Sequence, residues 1–404
     1  MAIPADIARD SGKDFTRSHP WISFRLNLGS MPWRFWELVG EARSKCRHLR
    51  LTPLPPGLAQ SLSALYLAKG AHATTAIEGN TLTEDQVLDA VEGRLKVPSS
   101  QEYLKREVDN VLQACAAIER GIHVDGSGFE VTPDSLAELN RMVLQGLDRD
   151  DDVSPGQIRR HSVVVGNVYR GAPAGDCSFL LTLMCDWLNG SDFAPTDDPR
   201  EAFLRVLLRA ITAHIYIAWI HPFGDGNGRT ARLVEFGILT SAGLPSVAAH
   251  LFSNHYNATR AEYYRQLDRA SKSGGDLGPF FAYAVEGFVD QLQTQLNEVQ
   301  ETNLTSAWRE YIHAAFAGET TQAPQRQLAL ALALHADQWV PRASIPTLTS
   351  ELALAYAGKG QKTVTRDLNA LEERQLIERG RAGVRARREV MLSFLPPAVD
   401  QDLL

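Results

Sequence analysis

HPFGDGNGRTAR, residues 221–232, places one histidine, one aspartate, three glycines and two arginines within twelve positions. The runs on either side, AFLRVLLRAITAHIYIAWI before it and GRTARLVEFGILTSAG continuing it, repeat apolar residues at three- and four-residue intervals. The stretch therefore reads as a loop between two helices, the second closed by Gly243. Glycines at 224, 226 and 228 let backbone N–H groups turn inward, and a helix N-terminus adds partial positive charge, so the loop favours an anion. Arg229 and Arg232, three apart, sit on one helix face where guanidinium forks can grip phosphate oxygens. The glycine spacing is not GxGxxG, no strand pattern precedes it, and the lysine of a P-loop is missing, so neither common nucleotide motif applies. Asp225 is a hard oxygen ligand for Mg2+ beside phosphates, and His221 can accept a proton near neutral pH. Taken singly, His221 reads as a helix cap and GDGNG as an ordinary turn. Base, acid, glycine nest and paired arginines together read as a site for phosphoryl-type chemistry.

Working outward, GLAQSLSALYLAKGAHATTAIEG, QEYLKREVDNVLQACAAIERG and TPDSLAELNRMVLQGL carry the same helical period, so the chain is mainly α. Thr132 and Pro133 open one helix, Gly79 and Gly146 close others, and Thr83 with Gln86 forms a capping box. HSVVVGNVYRG, residues 161–171, is the exception: β-branched residues flank Gly166-Asn167, which suits a hairpin turn. Near residues 317–326 the composition turns small and polar with a proline, which marks a boundary. The expected organisation is an N-terminal helical region over 1–100, a helical core over 101–316 and a last domain over 325–395.

With 404 residues, 44% hydrophobic and 22% charged, the chain has material for more than one core and does not read as disordered. A net charge of -7 argues against coating nucleic acid or anionic membrane with the whole surface. The four cysteines, Cys46, Cys115, Cys177 and Cys185, show neither CxxC pairing nor zinc spacing. The N-terminus lacks an apolar signal core, and no apolar run reaches the length of about 18 residues that a span requires. A cytoplasmic protein without a membrane partner is expected.

HPFGDGNGRTAR resembles the signature of the Fic family: HxF, a free position, an acidic residue, GNGR, two free positions and Arg. The resemblance implies a Fic helical core with a short β-hairpin flap, which binds ATP with Mg2+ and transfers AMP to a Ser, Thr or Tyr hydroxyl of a target protein or of itself, releasing pyrophosphate. By the same resemblance His221 is the general base, Asp225 the metal ligand, and Gly226, Asn227 and Gly228 the anion hole. Arg229 and Arg232 hold the outer phosphates, and Phe223 anchors the loop. The flap is Val163 to Arg170, where a target adds as a strand, with Val165, Gly166 and Asn167 nearest the nucleotide. The family's paired prolines after the flap appear here as Ala172-Pro173. AEYYRQLDRAS resembles the adenine-side helix, making Tyr263 and Tyr264 nucleotide contacts; Ser271 stands where some relatives have asparagine.

TTAIEGN, residues 74–80, reads locally as a helix end, and it also resembles the inhibitory motif of Fic proteins through Thr74, Glu78 and Gly79. The resemblance implies that Glu78 pairs with Arg232 within the same chain and blocks the γ-phosphate. Residues 325–395 resemble a winged helix with a recognition helix from about Gln361 to Arg374 and a wing bearing Arg381, Arg385, Arg387 and Arg388. Its partner is DNA or protein, with Asp367, Glu372 and Glu373 diluting the charge. Two alternatives stay open: a hydrolase that removes AMP through the same site, and a winged-helix regulator that senses nucleotide without turnover. A homo-oligomer also stays open.

Overall fold

The computed structural model describes residues 13–123, 129–148, 150–165 and 169–392. In chain order the helices are α1 (Phe15–Ser18), α2 (Trp33–Leu51), α3 (Pro56–Ala76), α4 (Glu84–Val91), α5 (Glu102–His123), α6 (Pro133–Val143), α7 (Cys177–Leu188), α8 (Pro199–Ile220), α9 (Asn227–Ser241), α10 (Ser246–Ala249), α11 (Leu251–Ala258), α12 (Arg260–Lys272), α13 (Gly278–Ala315), α14 (Gln322–Ala333), α15 (Ser350–Ala355) and α16 (Gln361–Glu373). The strands are β1 (Val164–Val165) with β2 (Tyr169–Arg170), and β3 (Ile377–Gly380) with β4 (Gly383–Ala386), two antiparallel pairs. The architecture is mainly α, as the periodicity predicts.

The chain divides into two compact units, Met1–Leu296 and Asn297–Leu404. The division falls inside α13, earlier than the 317–326 expected from composition. The reason is that Trp308 and Ile312 on the later turns of α13, and Phe316 just after it, are core residues of the second unit. Residues 13–100 also do not stand apart as a domain. Phe15, Phe24, Phe35 and Ala71 belong to the same core as α8 and α9, and the backbone N–H of Phe24 donates to Tyr216 Oη at 2.9 Å.

In the first unit α8 and α9 form an antiparallel pair at the centre of the core. Asp198 caps α8 by accepting from Arg200 N at 2.8 Å, and Pro199 takes the first position, where no N–H is needed. Ile211, Ile215, Tyr216, Ile217 and Trp219 are all buried, so the second half of α8 is covered all round. By length and composition α8 is apolar enough to cross a membrane, and it is 67% buried as a core helix of this unit. The Thr132 and Thr83 caps both form full capping boxes, and Gly79 ends the helical segment after α3 at a positive φ of 102°. Strands β1 and β2 pair Val164 with Arg170 and Val165 with Tyr169; Gly166 and Asn167, expected at the nucleotide, lie outside the described residues.

The second unit has the order α14, α15, α16 and a hairpin of β3 and β4, with Val340 bridging Val384 beside it. Arg326 and Gln327 of α14 and Tyr356 all bond the buried Asp367 of α16. Two of the arginines expected to decorate the hairpin do not stand free. Arg385 pairs with Glu378 and Glu389, and Arg388 with Glu301, because carboxylates on neighbouring turns and strands lie within reach of both. Arg381 and Arg387 are exposed.

Close packing of α3 turns on Gly70, where a Cβ would overlap the ring of His250. That ring is itself stacked on Phe236 with centroids 4.3 Å apart, so it has nowhere to go. Gly70→Ala is expected to lower the free energy of unfolding by about 1–3 kcal/mol, read from the urea midpoint; an unchanged midpoint would show that the ring yields freely.

Candidate active site

The turn between α8 and α9 holds the sequence motif in a fixed shape. His221 ends α8 in the left-handed region at φ 50°, and its N–H still closes the last helical turn on Ile217 O at 2.8 Å. That conformation is strained for a residue with a Cβ, so something must hold it. Arg159 does: its Nε donates to His221 O at 2.7 Å, its Nη1 to His161 O at 2.6 Å, and its Nη2 to Ala172 O. One buried guanidinium thus ties the histidine to both legs of the β1–β2 hairpin. Asn227 clamps the turn from inside, accepting from Phe223 N at 2.9 Å and donating to Phe223 O at 2.8 Å, while Phe223 is fully buried. Asn140 of α6 donates to Asp225 O at 2.8 Å, and Gly226 starts α9 at φ 75°.

Facing the turn is a cavity of about 510 Å³ whose lining includes Glu78, His221, Gly228, Arg232, Tyr263 and Tyr264. Arg232 is buried, and its Nη2 donates to Glu78 Oε1 at 2.6 Å and to Thr74 O at 2.9 Å. Thr74 therefore acts through its carbonyl. The Glu78 carboxylate lies directly against Gly228, where any Cβ would collide with it. Arg232 Nε is buried and unpartnered, a donor left over on the guanidinium. Tyr263 is buried with its hydroxyl 2.8 Å from His214 Nε2, whereas Tyr264 is half-exposed with Arg260 over its ring.

The turn between α8 and α9 lies within a family match. Residues 130–239 match the Fic/DOC family. The chain carries a Fic domain. The protein adenylyltransferase fic-1 of Caenorhabditis briggsae is 31% identical over 305 residues, which is 72% of this chain and 53% of that relative. The protein adenylyltransferase Fic of Drosophila willistoni is 31% identical over 213 residues, 53% of this chain and 38% of that one. The chain thus spans about half, or less, of the length of these relatives. Among solved structures, a Fic family protein from Desulfovibrio desulfuricans G20 shares the fold with a TM-score of 0.54 at 22% identity, covering 89% of this chain and 94% of that chain. Fic-1 of Caenorhabditis elegans matches with a TM-score of 0.51 at 26% identity, covering 67% of this chain and 73% of that chain.

Within the Fic domain, the structure brings His221, Gly228 and Arg232 to one cavity, and Glu78, Tyr263 and Tyr264 reach it from outside the matched residues. Arg229 differs from its expected place. It points to Glu107 Oε1 at 3.0 Å and Asp225 Oδ2 at 3.2 Å, because α5 presents a carboxylate that no local pattern announces. Asp225, about half exposed at 54%, also accepts from Gly226 N at 2.6 Å. Among the described residues no group of three or more His, Cys, Asp or Glu could hold a metal. A single carboxylate suits Mg2+ when phosphates and water complete the shell, so Asp225 fits an ion that arrives with a nucleotide. Arg159 and Asn140 were not singled out by sequence. QIRRH has no period or spacing that marks the first arginine, and its role exists only once the hairpin is folded over the turn.

Burial pushes His221 down to about 4, more than the nearby Glu78 and Asp225 raise it. With Nδ1 3.4 Å from Ala218 O, the proton belongs on that nitrogen and Nε2 keeps its lone pair. For Glu78, burial would raise the carboxyl, but Arg232, Arg229 and His221 outweigh it and hold it below the ordinary 4.5. His250 is likewise pushed to about 4 by burial. The unfolded chain takes up these protons from pH 6.5 downward, while the folded chain resists until about 4. Stability is therefore expected to fall as pH drops below about 6.5, by up to roughly 3 kcal/mol for His250. Glu78 adds a further loss below its own range. Thermal melts between pH 7.5 and 5 check this, and a flat midpoint would contradict it.

Proposed function

We propose that the chain is a protein adenylyltransferase: it moves AMP from ATP to a Ser, Thr or Tyr hydroxyl of a target protein, or of itself, and is held off by Glu78. The observation that carries this reading is the convergence on one cavity of a lone-pair imidazole, a glycine-rich helix N-terminus and a buried arginine, with a carboxylate seated on that arginine. The names of the relatives support the same chemistry.

In this reading ATP competes with Glu78 for Arg232. When the carboxylate leaves, the outer phosphates take its place on Arg232 and at the helix N-terminus formed by Gly226, Asn227 and Gly228, of which Gly228 lines the cavity. The target hydroxyl oxygen attacks the α-phosphorus, its proton goes to His221 Nε2, the bond to the bridging oxygen breaks, and pyrophosphate leaves. Mg2+, carried on the nucleotide and held by Asp225, would neutralise charge on the phosphates. Tyr263 and Tyr264 wall the base side. The target backbone adds to the edge of β1, next to the exposed Val164.

A de-adenylylating hydrolase would use the same cavity with Glu78 orienting water toward the phosphorus; the presence of Glu78 and His221 in one cavity lining favours this as the second reading. The second unit we read as a winged helix. Its α16 exposes Gln361, Lys362, Thr365, Arg366 and Asn369, a face suited to DNA, while the paired Arg385 and Arg388 favour a protein partner. Duplex binding by the full chain that weakens steeply with salt would select DNA.

Displacing a competitor held by about 1.4 kcal/mol changes occupancy about tenfold, so Glu78→Gly is expected to raise transfer from α-labelled ATP by at least about tenfold. His221→Ala should lower it by about a hundredfold or more while nucleotide binding persists. Mass spectrometry of the chain and of lysate proteins reads the gain of one AMP; no such shift in Glu78→Gly would overturn the proposal.

A further inference from the structure

A second cavity, of about 500 Å³, lies in the first unit away from His221. One wall is α2, through Arg43, Arg47 and Arg50; the other is the first two turns of α8, through Pro199, Ala202, Phe203 and Val206, with Ala242–Pro245 after α9 closing the end. The three arginines are spaced four and three apart, so they form one stripe on α2. Among the described residues none of the three has an ion pair or hydrogen bond, in a chain that carries more acidic than basic side chains. Local acids are already engaged: Glu41 pairs with Lys45, Glu201 with Arg205, and Asp198 caps α8.

Three guanidinium forks without carboxylates, set against Phe203, Val206, Leu244 and Pro245, define a ligand with several negative charges at one end and a flat apolar body at the other. The volume admits a single small molecule of that kind, since such pockets run from about 300 to 1,000 Å³. We infer that this cavity is a second anion site, for a nucleoside polyphosphate, with the phosphates on Arg43, Arg47 and Arg50 and the base against Phe203.

The position gives the site a route to the turn. Phe203 and Val206 lie near the N-terminus of α8 and Ala242–Pro245 follow α9, whereas His221 and Asn227 lie at the opposite ends of the same two helices. At 1.5 Å per residue the separation is about 25 Å, too far for one ligand to touch both. Two packed helices, α8 and α9, run from one cavity to the other.

The test does not depend on the adenylyltransferase reading. The full chain is titrated calorimetrically with α,β-methylene ATP, inorganic triphosphate and poly-glutamate, in wild type, Arg232→Ala and the triple variant Arg43→Ala/Arg47→Ala/Arg50→Ala. The expected result is nucleotide binding that survives Arg232→Ala and falls at least tenfold in the triple variant, whose unfolding temperature serves as the control. Arg47→Gln, a single change at an exposed position, should show a partial loss if the triple variant proves unstable. Equal nucleotide binding in wild type and the triple variant overturns the inference, as does absence of nucleotide binding. Tighter binding of poly-glutamate than of nucleotide overturns the ligand class. Absence of AMP transfer in Glu78→Gly leaves all of these outcomes readable.

Discussion

The first unit depends on a reversal of direction between two buried helices, made in the few residues from His221 to Gly226. A turn this short between two largely buried helices leaves no room for an ordinary loop. The chain solves this with a left-handed histidine, a left-handed glycine and an asparagine that bonds both backbone groups of Phe223. Arg159 then supplies donors to carbonyls that the turn and the hairpin would otherwise leave buried without partners. With the turn fixed in this way, Gly228 at the start of α9 lines the cavity.

A second constraint is electrostatic. Arg232 is among the most deeply buried side chains of the chain, and a buried guanidinium without a counter-charge destabilises a fold by about 3–5 kcal/mol. Glu78 supplies that counter-charge, and the arginine in turn keeps Glu78 ionised against the pull of burial. Any anion that displaces the carboxylate must take over the same duty. Occupancy and stability are therefore joined in one contact: the carboxylate that lines the cavity also neutralises the buried arginine beside it. Arg229, by contrast, has Glu107 and Asp225 for partners and needs nothing from a ligand to be stable.

What could be read in the sequence was whatever local physics decides. Helical periodicity, the Thr83 and Thr132 caps and the glycine at 79 all depend on neighbours within a turn or two, and each has its counterpart in the structure. The motif at 221–232 was legible because its glycines, arginines and histidine are contiguous. Arg159, Asn140 and Glu107 were not, since their partners lie 62, 85 and 122 positions away and their immediate surroundings carry no pattern. The division between units was misjudged for a related reason: a proline and small polar residues at 317–326 are a local signal, whereas the membership of Trp308 and Ile312 in the second core is not. Charge on the hairpin of the second unit was overstated because counting arginines says nothing about the glutamates beside them.

The Glu78–Arg232 contact spans 154 positions, with the glutamate on the earlier side. Synthesis runs from the N-terminus, so the segment that carries Glu78 leaves the ribosome before the loop it covers exists. The arginine thus emerges into the presence of its partner rather than the reverse. Order along the chain becomes order in time: the carboxylate is already outside when the guanidinium that needs it appears.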